Sequence, residues 1–319
     1  MIKPRGITPQ HLAIFTLTTA LSVLAGSAQA DILQQWLHSF EQSKLNFNRS
    51  NSNTPFLPLA FVDARNYQDS KLTLTDGSTV EYDQSSVNQG AIVPFLMTPR
   101  DVLVIGDWVS MSSLKPNSDT LEDFDVLSVG IPIGWMRQLN DDWQVGGFVM
   151  PLGHKATLED SSWNWETLGG GFGRYVQTER LWWAFGVYFD INTDTETWLP
   201  YLGASYEFND RWTLSAVMPW PAILYAPNRD TLFRFGAAPS GSSWLLDTGG
   251  ERISYALDGW DLAFSGEHRI WGDIWLELEA GIGGLKGLNI SNGDWQEPAL
   301  DVSTSEFITF GINFRPSLN

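Results

Sequence analysis

Apolar side chains recur at every second position through most of the chain after residue 100. Residues 274–283, for example, read IWLELEAGIG. On an extended backbone successive side chains point to opposite faces, so one face of this segment is apolar and the other carries tryptophan, glutamates and glycines. A period of two predicts β-strands. The same alternation recurs in residues 127–135, 199–220, 260–267 and 307–314.

The two faces of these strands differ in a way that favours a membrane barrel over a soluble sandwich. A soluble sandwich, the alternative interpretation, fills its inner face with bulky apolar groups and places charge outside. Here the more polar face is rich in Gly, Ser, Glu and Asn, which suits a wet lumen. Because open sheet edges cannot persist in lipid, the sheet is expected to close on itself. We therefore expect an all-β, antiparallel transmembrane barrel.

Short and long breaks alternate between the strand segments. The short ones are small polar pairs that suit tight hairpin turns: Asn140-Asp141, Glu179-Arg180, Asn209-Asp210 and Gly272-Asp273. The longer ones cover residues 112–122, 155–162, 192–197 and 285–301. This asymmetry is typical of outer-membrane barrels, which have short periplasmic turns and long external loops.

The pattern predicts about twelve strands, with fourteen as the alternative. Prolines at 219, 221 and 227 obscure the count between residues 219 and 251. Residues 55–64 and a hairpin around Asp76-Gly77 supply the two extra strands of the alternative. The twelve predicted strands cover residues 101–111, 123–139, 143–154, 163–178, 181–191, 197–208, 211–220, 231–236, 242–247, 252–266, 274–285 and 303–315.

The first thirty residues have the layout of a cleavable secretory signal peptide. Lys3 and Arg5 precede an uncharged apolar run, and small residues lead to a cleavage site after Ala30. The alternative, a membrane-anchoring helix, is disfavoured because the run is short. We predict three parts: a signal peptide (1–30), an N-terminal periplasmic segment and linker that can contain extra strands (31–95), and the barrel (96–319). Residues 31–47 suggest a short amphipathic helix.

Charge and composition exclude several functions. The full chain carries a formal charge of −18; removing Lys3 and Arg5 with the signal gives −18 − 2 = −20. We predict no nucleic-acid partner, because phosphate binding needs clustered Lys and Arg and the chain is acidic. The chain has no cysteine, which excludes disulfides and thiolate chemistry. We predict no cofactor; the expected partners are outer-membrane lipid, lipopolysaccharide and the barrel-assembly machinery.

Three stretches carry a resemblance to a known family. They read PYLGASYEFNDRWTLSAVMPWPAILY from Pro200, GSSWLL from Gly241 and ELEAGIGG from Glu277. They resemble an uncharacterised family of bacterial outer-membrane β-barrels, described only as a domain of unknown function. The resemblance implies an outer-membrane location in a Gram-negative cell and implies nothing about the substrate. One departure is that Phe314 is followed by RPSLN, whereas many such barrels end on an aromatic residue.

Neither catalysis nor metal binding has a recognisable motif. His154 is close in sequence to Glu159, Asp160, Ser161 and Ser162, but these residues straddle a predicted loop and match no family pattern. The acidic loop in residues 190–198 lacks the glycine and glutamate spacing of an EF-hand. We therefore predict that the protein is not an enzyme and holds no metal.

The inward faces predict a narrow, porin-like pore or uptake channel of unknown substrate. An excess of carboxylates over arginines would give it a cation preference. The alternatives are a structural or adhesive envelope protein and, less favoured, a lipid-modifying enzyme, because a barrel fold does not fix function. The candidate lumen-lining residues are Arg137, Glu207, Asp261, Glu267, Arg269, Glu277 and Glu279.

Aromatic residues cluster where strands end. Trp and Tyr sit at both membrane–water interfaces of barrels, so we predict that these side chains anchor the protein there. In the hairpin of residues 199–221 the periplasmic anchors are Phe208 and Trp212, and the outer ones are Trp198 and Trp220. The full predicted set is Trp143, Trp198, Phe208, Trp212, Trp220, Trp260 and Trp275.

Overall fold

The fold is all-β. The computed structural model describes residues 43–45, 52–73, 79–117, 123–157, 162–191, 196–240, 242–248, 251–283, 286–292, 295–296 and 300–316. None of these residues is helical, so the described chain has no helix that could cross a membrane. The predicted signal peptide and nearly all of the predicted helix of residues 31–47 lie outside the described residues.

Twenty strand segments make up one antiparallel sheet. They are β1 (Ala60–Thr73), β2 (Thr79–Thr98), β3 (Asp101–Pro116), β4 (Phe124–Gly130), β5 (Ile133–Gln138), β6 (Trp143–Ala156), β7 (Asn164–Thr178), β8 (Leu181–Ile191), β9 (Glu196–Glu207), β10 (Trp212–Val217), β11 (Ala222–Asn228), β12 (Thr231–Pro239), β13 (Ser242–Thr248), β14 (Glu251–Asp258), β15 (Trp260–Trp271), β16 (Ile274–Gly283), β17 (Lys286–Asn292), β18 (Trp295–Gln296), β19 (Leu300–Val302) and β20 (Ser305–Phe314).

The sheet closes into a barrel of fourteen strands, the alternative count, and not the twelve that the sequence favoured. β5 continues β4 past Pro132, and β13, β14, β17, β18 and β19 extend the wall at one end, so 20 − 6 = 14 strands form the ring. Each ring strand pairs with the next, and β20 pairs with β1 to close the ring. Closure satisfies the backbone groups that a sheet edge would expose.

The barrel begins earlier than the predicted boundary at residue 96. β1 and most of β2 lie within residues 31–95, and they pair along nearly their full length from Ala60 opposite Ala91 to Thr73 opposite Thr79. These strands are the two that the alternative count added. Their alternation is less obvious in the sequence because Asn, Gln and Ser occur on both faces.

The proline-rich region holds a strand, β11, that the twelve predicted strands left out. Pro219 and Pro221 lie in the turn that joins β10 to β11, where no ladder donor is needed. Pro227 lies where the register between β11 and β12 shifts, between Tyr225 and Asn228. The segment of residues 242–247 is not a separate ring strand, because β13 continues the direction of β12 and pairs with β14 beyond the ring.

Both ends of the barrel are crossed by chain. At the long-loop end, β13 extends from β12 and lies against β6 and β7, on a distant part of the ring. At the short-turn end, the segment of residues 52–59 runs between the β9–β10 turn and the start of β1. Its Asn53 amide donates to the Asp210 carbonyl (2.6 Å), and its Leu59 amide donates to the Phe314 carbonyl (2.9 Å).

Candidate functional site: the barrel interior

The outer surface of the barrel is apolar around the ring. In the hairpin of β9 and β10, for example, the Leu202 side chain is 64% exposed, whereas Glu207 on the opposite face is 2% exposed. Water-soluble monomers rarely expose apolar patches larger than a few hundred Å². Exposed apolar residues include Phe95, Ile105, Trp135, Val187, Leu202, Ile223, Phe235, Phe264, Leu278 and Phe310. This surface suits lipid.

The inner face of the wall is polar and buried. In β20 the inward residues Ser305, Thr309 and Asn313 are buried, and they alternate with the exposed residues Ile308 and Phe310. Buried polar side chains need hydrogen-bond partners within the protein or bound molecules, because burying them unpaired is costly. The interior meets this requirement in two different ways, one on each side of the barrel.

One side of the interior is packed around Arg65 of β1. Its guanidinium donates to Glu279 Oε1 (2.6 Å) and Asp261 Oδ2 (3.0 Å), and its Nε donates to Thr309 Oγ1 (2.9 Å). Tyr67 donates its hydroxyl proton to the same Asp261 oxygen (2.6 Å). We call these five residues the Arg65 cluster. One arginine pairs with two buried carboxylates, which fills this part of the lumen with charge-assisted bonds.

A second polar cluster, with one ion pair, lies nearer the short-turn end. Arg315 donates to Glu267 Oε2 (2.6 Å) and to the Phe56 carbonyl (2.6 Å), which fixes the segment of residues 52–59 to the wall. Asn313 donates to Glu277 Oε2 (2.8 Å) and Glu267 Oε2 (3.2 Å). The carboxylates here are held by donors of β20 and the residue that follows it.

The other side of the interior is a cavity of about 460 Å³, which we call the polar chamber. Serine side chains of β2, β3 and β4 occupy much of its wall, where the packed side has aromatic rings. Titratable residues that line the wall, apart from tyrosines, are Asp63, Arg65, His154, Glu166 and Asp190. The remaining residues that line it are Phe61, Tyr67, Gln84, Ser86, Asn88, Trp108, Ser110, Ser112, Ser128, Leu152, Leu168, Tyr188 and Ser240.

Hydrogen bonds follow the chamber wall from strand to strand. Asn88 donates to Asp63 Oδ1 (2.8 Å) and accepts from Ser110 Oγ (2.7 Å). On the next strands, Ser128 Oγ lies 2.7 Å from His154 Nδ1, and His154 Nε2 lies 3.0 Å from Glu166 Oε1. A neutral imidazole protonated at Nε2 satisfies both contacts, because it accepts from serine and donates to the carboxylate.

The contact of Ser128, His154 and Glu166 contains the residue types of a hydrolytic triad. The acyl-transfer reaction also requires donors directed at an oxyanion. The backbone of Ser128 is in the ladder with Ser110 on one side and His154 on the other, so its amide belongs to the sheet. The contacts of Ser128 with His154 and of His154 with Glu166 hold Glu166 at the chamber wall. Among the described residues, no group of three or more His, Asp or Glu side chains could hold a metal ion.

Four of the predicted lumen residues lie in the interior on the packed side: Asp261, Glu267, Glu277 and Glu279. Glu207 is also buried, with 2% exposure, on β9. Arg269 lies near the short-turn end, where its Nε is 3.2 Å from Asp230 Oδ1 and its guanidinium lies over the Trp275 ring. Arg137 is different. Its side chain is 50% exposed and faces out, beside Asp101, because it shares the outward phase of Trp135 on β5.

Most of the predicted interface aromatics lie at strand ends or in turns, and one is buried inside the barrel. Trp198, Phe208, Trp212, Trp220 and Trp260 are exposed at strand ends or in turns, and Trp143 packs against the Tyr175 and Phe185 rings. Trp275 is instead fully buried, with 0% exposure, below the Arg269 and Arg315 guanidinium groups. It lies inside because its position has the phase of Glu277 and Glu279, a signal that the sequence itself contained.

Sequence reasoning missed most of the polar chamber. Asp63, Arg65 and Asn88 lie on the two strands that only the alternative count included. Glu166 lies on β7, where a run of glycines hides the apolar face. His154 was considered with residues 159–162, but its contacts are Ser128 on β4 and Glu166 on β7. Residues 158–161 lie outside the described chain.

A closed antiparallel barrel with an apolar outer surface and a polar, carboxylate-rich interior has the architecture of a transmembrane β-barrel protein.

Comparison with solved structures finds similar chains at low sequence identity. The COG4313 outer membrane channel from Pseudomonas putida F1 has 11% identity and a TM-score of 0.47, covering 81% of this chain and 96% of that one. A mutant of the TodX monoaromatic hydrocarbon channel has 12% identity and a TM-score of 0.42, covering 80% and 89%. The translocator domain of the autotransporter NalP from Neisseria meningitidis has 12% identity and a TM-score of 0.34, covering 91% and 96%. No model of a known protein family matches the sequence, and no curated protein does.

Proposed function

We propose that this protein is an outer-membrane channel for the uptake of small water-soluble solutes. The observation that carries the proposal is the polar chamber, a cavity of about 460 Å³ inside a barrel whose outer surface is apolar. Small-molecule sites usually enclose some 300–1,000 Å³. The lining combines serines, amides and carboxylates with the apolar side chains of Phe61, Trp108 and Leu152, so it suits a solute that has both polar and apolar parts.

The charge of the chamber supports a preference for cations. Its wall carries Asp63, Glu166 and Asp190, and the arginine in the wall, Arg65, already pairs with Glu279 and Asp261. Rings of carboxylates in a pore favour cations over anions. In this proposal the protein is embedded in outer-membrane lipid, meets lipopolysaccharide at its long-loop end and is inserted by the barrel-assembly machinery.

Recordings in planar lipid bilayers test the proposal. Purified protein folded into detergent is expected to give small conductance steps, and a salt gradient is expected to give a reversal potential of the sign that cation preference requires. A variant with residues 242–257 replaced by a short Gly-Ser turn removes the strand that crosses the long-loop end. We expect its conductance to be several-fold higher, because the cross-section available to ions increases.

Each outcome of these recordings either supports or refutes the channel. A silent wild type with a conducting hairpin variant would identify the β13–β14 hairpin as the barrier of a channel. Silence in both proteins, with heat-modifiable migration showing that both are folded, would refute the channel. Anion preference would refute the role assigned to the chamber carboxylates.

A further inference from the structure

Two carboxylate oxygens in the polar chamber are buried with no partner in the described protein. They are Glu166 Oε2 and Asp190 Oδ1. Glu166 is 4% exposed, and its other oxygen accepts from His154. A buried carboxylate oxygen without a donor is costly, so such atoms indicate where a bound molecule supplies donors.

The two carboxylates lie on the same part of the wall. Asp190 of β8 is directly opposite Leu168 of β7, and Glu166 is two residues from Leu168 on the same face. Glu166 and Asp190 are therefore diagonal neighbours, and the two side chains interact electrostatically. Two anions held side by side favour a cation between them.

The surroundings favour an organic cation over a metal ion. Within the described part of the chain no three acidic or histidine side chains converge closely enough to ligate a metal. The cavity is larger than an ion needs, and the rings of Phe61, Trp108 and Tyr188 form part of its wall. Aromatic faces attract ammonium groups, and the attraction is strongest where water is excluded.

We propose that the polar chamber binds solutes that carry a primary ammonium group, with Glu166 Oε2 and Asp190 Oδ1 accepting the N–H bonds. This inference rests on the proposed function for its biological meaning, because it names the class of solute that the channel would select. The hydrogen bonds of Ser128 and His154 hold Glu166 in position, so these two residues are positioning residues.

Binding of 1,4-diaminobutane to the folded wild-type protein, measured by isothermal titration calorimetry, tests the inference. We expect saturable binding of the diamine and none of 1,4-butanediol, which has the same length without charge. Tetramethylammonium, which has charge but no N–H group, is expected to bind about tenfold or more weakly, the effect of losing a charge-assisted hydrogen bond. Equal binding of diamine and diol, or no binding of the diamine, would overturn the inference without any variant.

Two variants locate the site. Glu166→Gln and Asp190→Asn are each expected to weaken diamine binding about tenfold or more. Glu306→Gln is the matched control for charge, because Glu306 is exposed on the outward side of β20. A Glu166→Gln protein that folds, as judged by heat-modifiable migration, and binds the diamine with wild-type affinity would show that the site is elsewhere.

The binding and conductance experiments can fail independently of each other, so the binding site and the channel are tested separately. A protein that binds the diamine but never conducts would refute the channel and retain the site. A protein that conducts but binds no diamine would retain the channel and refute the site.

Discussion

The strands on both sides of the barrel interior alternate inward and outward residues, but one side is packed with side chains and the other contains a cavity. On the packed side, β1, β15, β16 and β20 bring carboxylates within reach of Arg65 and Arg315, and the rings of Tyr67, Phe307 and Trp275 occupy the volume. On the chamber side, β2, β3 and β4 present serines. Among the described residues, the arginine in the chamber wall, Arg65, pairs with Asp261 and Glu279 and not with the carboxylates of β7 and β8. Side-chain size and the placement of arginine thus decide where a polar lumen closes and where it stays open.

Arg65→Met gives the largest expected loss of stability. The substitution leaves Asp261 and Glu279 buried without their cation, and breaking a buried pair costs about 3–5 kcal/mol. Urea unfolding of the protein folded in lipid vesicles measures the change. Ser110→Ala in the chamber wall is the control, with an expected loss of about 1 kcal/mol. Equal losses would show that the two sides contribute alike.

Trp275→Ala is expected to be the next most damaging change. Truncation of a buried Trp costs about 3–5 kcal/mol, and we expect the lower end of that range because water can enter a polar lumen. Trp135→Ala is the matched control: its ring is exposed to lipid, so truncation leaves no cavity within the protein. The same unfolding measurement compares them. A larger loss in the Trp135 variant would contradict the interior position of Trp275.

Ser128→Ala is expected to have the smallest effect, about 0.5–1.5 kcal/mol for one hydrogen bond. Because Ser128 is buried, with 3% exposure, we also expect no labelling of the wild type by a fluorophosphonate probe. Covalent labelling that disappears in the Ser128→Ala protein would instead establish a reactive serine in the chamber.

The sequence predicts the fold better than it predicts the chamber. Alternation in residues 199–220 correctly separates Leu202 and Tyr206 from Ser205, Glu207 and Thr213, because an apolar face against lipid leaves a strict period. The lumen imposes no such rule, since serine, glycine and glutamate are all tolerated there. Which inward residues meet also depends on ring closure, which joins Arg65 to partners 196 and 214 positions away. No local pattern contains that information.

The inward–outward alternation along each strand, taken alone, gives the correct side of the wall for two residues that the sequence analysis assigned otherwise. Arg137 has the phase of Ile133 and Trp135, which places it outside, and Trp275 has the phase of Glu277, which places it inside. Residue type was given precedence over position in both cases. Strict phase is the better guide on a barrel wall, because a one-residue slip would turn a whole strand over.

The Arg65 cluster has a consequence for the order of events during assembly. Arg65 belongs to the first strand of the ring, and Thr309 and Glu279 belong to the last two, so the bonds join residues 244 and 214 positions apart across the final seam. Until β1 and β20 pair, the carboxylates of Asp261 on β15 and Glu279 on β16 lack the Arg65 guanidinium. The charges are thus matched by the same event that pairs the first and last strands of the ring. A partly assembled sheet therefore differs from the closed barrel in carrying buried carboxylates without their arginine.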